Sequence, residues 1–99
     1  MKAITQERLN SLIGSREHES SIVWKLYEAA KEFGNEFETK VNLTGEEAAV
    51  ARGIEYNTGL IHYTDCLGLK SIEVENYDKL VRKVQYIVKE REFKKFLKA

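Results

Sequence analysis

The residues best equipped for chemistry stand close together: His62, Asp65 and Cys66, with Glu55 seven residues before His62. On a continuous helix His62 and Cys66 fall one turn apart, near enough to share a proton or a metal ion. Zinc needs a third and a fourth ligand, and His18, the other of the 2 histidines, lies in a distant polar segment. A cysteine nucleophile needs a base and an oxyanion hole, and neither is signalled. A small buried cysteine beside a structural histidine is the commoner arrangement. The sequence therefore assigns no catalytic residue, no metal and no cofactor, and predicts a protein that is not an enzyme.

Three further groups could make a binding surface. Basic residues gather toward the C-terminus, where Arg82, Lys83, Lys89, Lys94 and Lys95 accompany Tyr86 and Phe93. Cations interleaved with aromatics can grip phosphates and stack on bases, although lysines in a last helical turn also suit the helix dipole. Aromatics left outside the apolar stripes (Trp24, Tyr27, Tyr86, Phe93 and Phe96) suit an interface, where Trp and Tyr act as anchors, or a wider core. Arg52, Tyr56 and Tyr63 together could meet an anionic aromatic ligand such as a nucleotide. No glycine-rich phosphate loop accompanies them.

Charge and length bound these readings. The 99 residues suffice for one domain spanning 1–99, and a core this small gains from a partner chain. Lys plus Arg and Asp plus Glu both number 16, which argues against a nucleic-acid mimic and against a bulk polycation. The balance is local: residues 44–75 carry 2 basic and 6 acidic groups, whereas residues 76–99 carry 8 basic and 3 acidic. With 1 cysteine, no signal-like leader and no membrane-length apolar run, the expected place is a reducing cytoplasm with no membrane contact.

The elements that must position these groups read as helices. Thr5 caps a short helix from Gln6 to Ile13, closed by Gly14. Ile22, Leu26, Ala29, Ala30, Phe33, Phe37 and Val41 recur at three- and four-residue spacing and predict one long helix running past Gly34. Thr44-Gly45-Glu46-Glu47 forms a capping box for a second, whose stripe runs Ala49, Arg52, Tyr56, Leu60, Tyr63 and Leu67. Asn57-Thr58-Gly59 is a turn-like triplet able to split that helix. Leu69 to Glu75 alternates like a strand but has no predicted strand to pair with. Asn76 caps a third long helix whose stripe is Tyr77, Leu80, Val81, Val84, Ile87 and Val88.

The expected fold is therefore all-α, a small up-and-down bundle of three long helices plus a short N-terminal one. The leading functional expectation is a small helical interaction or regulatory protein, of the kind found among phage and bacterial inhibitors or adaptors. It binds a protein partner, itself, or both, as a homodimer or small oligomer. The alternatives are a nucleic-acid-binding protein using the basic C-terminal helix and an oligomeric binder of a small anionic ligand.

Overall fold

A computed structural model describes Leu9 and residues 18–98, with side chains for Leu9, residues 20–90 and Lys94. The elements in chain order are α1 (His18–Lys25), α2 (Tyr27–Phe33), β1 (Phe37–Lys40), α3 (Gly45–Thr58), β2 (Ile61–Cys66), β3 (Leu69–Val74) and α4 (Tyr77–Lys98). The strands form one antiparallel sheet in the order β1-β3-β2. The expected all-α bundle is thus corrected to a mixed helix-and-sheet fold. Of the expected N-terminal helix only Leu9 is described, helical and fully buried; its other residues lie outside the described part.

The first long helix is interrupted at Leu26, between α1 and α2, and ends where glycine and asparagine follow one another. Gly34 takes φ 90 and ψ −152, a backbone conformation open to glycine, while its N–H still closes the last turn of α2 on Ala30. Asn35 then anchors α4 from outside. Its carbonyl accepts from the Tyr77 N–H at 2.9 Å and its side-chain oxygen from the Asp78 N–H at 3.1 Å. Phe37 and Val41 fit the helical stripe in the sequence because residues four apart share a face in strands as well as in helices. They belong to β1 and the loop after it.

The Thr44–Glu47 capping box forms as expected at the start of α3. The buried side of α3 is Glu47, Ala51 and Ile54, whereas Ala49, Arg52 and Tyr56 point to solvent. The expected stripe was the wrong face, drawn through two tyrosines and an arginine that a strand and an open surface accommodate equally well. Gly59, at φ 66, ends the helix in the left-handed conformation, and Thr58 links both sides of the break. Its hydroxyl donates to the Ile54 carbonyl at 2.7 Å and accepts from the Leu60 N–H at 3.1 Å.

The segment left without a partner in the sequence, β3, is the central strand, and the residues read as the far half of a helix supply one neighbour. Phe37, Val74 and Ile61 lie in one register row, and Thr39, Ile72 and Tyr63 in another; apart from half-buried Thr39, all are buried under the helices. Glu38, Glu73 and His62 form an intervening row on the open face. From α4, Tyr77, Leu80, Val81, Val84 and Val88 close the core as the sequence predicts. The Tyr77 hydroxyl donates to the Val23 carbonyl of α1, and burial pushes the phenol's pKa up.

Candidate functional site

Successive helix residues turn by about 100°, so Lys79, Arg82, Tyr86 and Glu90 line the side of α4 opposite its buried stripe, with Lys83 and Lys94 on one flank and Lys89 on the other. All seven are exposed. Among the described residues, Lys79, Arg82, Lys83 and Tyr86 line a shallow groove, and Tyr86 stands 67 % exposed. Two ion pairs stay within the helix: Arg82 to Asp78 at 3.0 Å and Lys94 to Glu90 at 3.7 Å. Open pairs of this kind are worth about 0.3–0.5 kcal/mol, so either cation can exchange its partner for another anion. Lys79, Lys83 and Lys89 are in no ion pair with another described residue. Lys79 joins the cations expected from the sequence, and its spacing of four from Lys83 and seven from Tyr86 is the signal that places it with them.

The proposed interface aromatics separate. Trp24 and Tyr27 are half-buried against the core and meet edge to face at 5.4 Å, with the Lys31 ammonium 5.8 Å from the Tyr27 ring. The buried Trp24 indole N–H meets no acceptor among the described residues. Tyr86 is the anchor left standing in the open. Phe93, Phe96 and Lys95 continue α4, but their side chains lie outside the described residues. Among the described residues the other exposed apolar side chains are Phe33, Tyr56, Leu67 and Leu69; the last two flank the β2–β3 turn, and the expected helix reached only Leu67.

The His62, Asp65 and Cys66 group does not assemble. On a strand His62 and Cys66 share the open face but stand about 13 Å apart along β2, and Asp65 points the other way. His62 instead lies between carboxylates, with Nε2 3.4 Å from Glu75 and Nδ1 3.7 Å from Glu55. Among the described residues no group of three His, Cys, Asp or Glu side chains could hold a metal ion. Arg52 does lie over the Tyr63 ring at 5.2 Å, with Tyr56 one turn along α3 and 90 % exposed. Arg52 and Tyr56 are exposed, whereas Tyr63 is buried. Among the described residues no helix is long and apolar enough to cross a membrane.

No family model, curated protein or solved structure matches this chain.

Proposed function

We propose that this protein acts by binding, not catalysis, and holds an anionic macromolecule against the exposed side of α4. The observation that carries the reading is the groove of Lys79, Arg82 and Lys83 around exposed Tyr86. Several cations in line raise the local concentration of a polyanion, and a rigid aromatic among them adds contact area at low entropic cost. The exposed helix side is built on a rigid element whose opposite side is locked into the core, so docking requires no rearrangement. Titration of the labelled protein with heparin, polyglutamate and oligonucleotides, followed by amide NMR shifts, tests it. Shifts concentrated at residues 79–89 are expected with at least one polyanion; shifts absent or confined to the sheet reject the reading.

Self-association is the second part of the proposal. It is supported by the separation of charge between residues 44–75 and α4, which lets the basic side of one copy meet an acidic surface of another.

A further inference from the structure

We infer that the macromolecule held on α4 is a single-stranded nucleic acid, an assignment that rests on the docking role proposed above. The groove residues satisfy the two demands such a strand makes. Lys79 and Lys83 are one turn apart, about 6 Å along the helix axis, a separation that lets each meet a different phosphate of an extended strand. Tyr86 follows one turn later with its ring 67 % exposed, and Lys89 extends the cationic line past it. A base lies flat on such a ring whatever its identity, and stacking of this kind needs no hydrogen-bond readout. Arg82 adds a planar guanidinium on the same outer side, able to leave its pair with half-buried Asp78 for a phosphate.

The same geometry weighs against the other anionic partners. An acidic protein surface would use the cations, but it would use the Tyr86 ring only where it also offered an apolar pocket among its carboxylates. A duplex hides the faces of its bases, so Tyr86 would meet only the backbone. Glu90, paired with Lys94, interrupts the positive line beyond Lys89. The tract from Lys79 to Lys89 spans about 15 Å, room for about three nucleotides of an extended strand at the roughly 6 Å spacing of Lys79 and Lys83.

Fluorescence anisotropy of a labelled twelve-nucleotide oligothymidylate against the full chain tests the assignment, with the same-length duplex and polyglutamate as competitors. Contacts to three phosphates predict that the Kd rises roughly 20-fold between 50 and 200 mM salt. Tyr86→Ala should weaken binding roughly 10-fold, while Tyr86→Phe keeps it. Lys79→Glu with Lys83→Glu should abolish it, and Lys79→Gln with Lys83→Gln should weaken it without reversing charge. Far-ultraviolet circular dichroism checks that each variant is folded. Binding that ignores Tyr86→Ala, or a duplex that competes equally well, overturns the single-strand assignment. Polyglutamate bound through the same lysines while oligothymidylate is not would make the partner an acidic protein and leave the docking role standing. No binding to any polyanion removes both.

Discussion

Glu47 serves two elements at once. One of its oxygens accepts from the Thr44 N–H at 3.1 Å and from the Lys25 ammonium at 2.7 Å, and the other from the Ser21 hydroxyl at 2.9 Å. The sequence showed the capping half of this, because a capping box is a local pattern of four residues. It could not show Lys25 and Ser21, which arrive from α1 more than twenty positions away. The Lys25 contact, outweighing the cost of burial, holds the Glu47 carboxyl down at about 2, against an ordinary value of 4.5. A depressed folded-state value stabilises the fold above pH 4.5, and the contribution is lost as pH falls toward 2. Lys25 remains 37 % open to water, so the pair is screened and Glu47→Gln should cost about 1–2 kcal/mol at pH 7. Urea denaturation of both proteins should show this gap narrowing by roughly half at pH 3. A gap independent of pH would mean that packing, not charge, accounts for it.

At the scale of elements, two short segments decide between a bundle and the observed fold. Leu67 and Gly68 turn the β2–β3 hairpin with φ 54 and 83, and Leu67 is 98 % exposed. Leucine in the left-handed region costs about 1 kcal/mol and here gains no burial in return. Leu67→Asn gives the Asn-Gly pair that two-residue hairpins favour and should raise stability by about 1 kcal/mol, seen as a melting temperature several degrees higher. An unchanged or lower value would show Leu67 making contacts the turn needs. Gly34 works in the opposite sense: Gly34→Ala should cost about 1–3 kcal/mol, because its backbone conformation excludes a Cβ. A loss of only a few tenths in denaturant unfolding would show that the α2–β1 link relaxes. These segments also explain what the sequence concealed. Leu67 carries no turn signal of its own, and a single glycine at position 34 weighs little against a run of matching apolar residues. The helix of strongest pattern, α4, was legible because Asn76 caps it and its apolar spacing admits no strand. The sheet was not, since β3 pairs on both sides with strands whose apolar spacing also fits a helix, and pairing is a property no single segment displays. The α4 groove was half legible: its cations were visible as a cluster, but which aromatic shared their side depended on what the core took.

Across the whole molecule, charge is sorted by element, and that bears on the proposed self-association. Residues 44–75, which include α3, β2 and β3, hold 6 acidic and 2 basic groups. Glu46, Asp65, Glu73 and Glu75 are exposed there. The outer side of α4 is basic. Two copies placed basic side to basic side repel, so a symmetric pairing through α4 is unfavourable. A head-to-tail contact of α4 on a neighbour's acidic surface is attractive, and such contacts build rings where the rotation closes and open chains where it does not. The attraction is screened over about 10 Å at 0.1 M salt but reaches about 30 Å at 0.01 M. The expected result in light scattering is a weight-average mass that grows with protein concentration at 0.01 M salt and returns to the single-chain mass at 0.3 M. Lys79→Glu with Lys83→Glu should hold the single-chain mass at both. Oligothymidylate at low salt should reduce the mass as well, since it competes for the same side of α4. A dimer indifferent to salt would place the interface on apolar residues such as Phe33 and the Leu67–Leu69 tip. A single-chain mass at every salt concentration would leave the basic side of α4 wholly to a different partner.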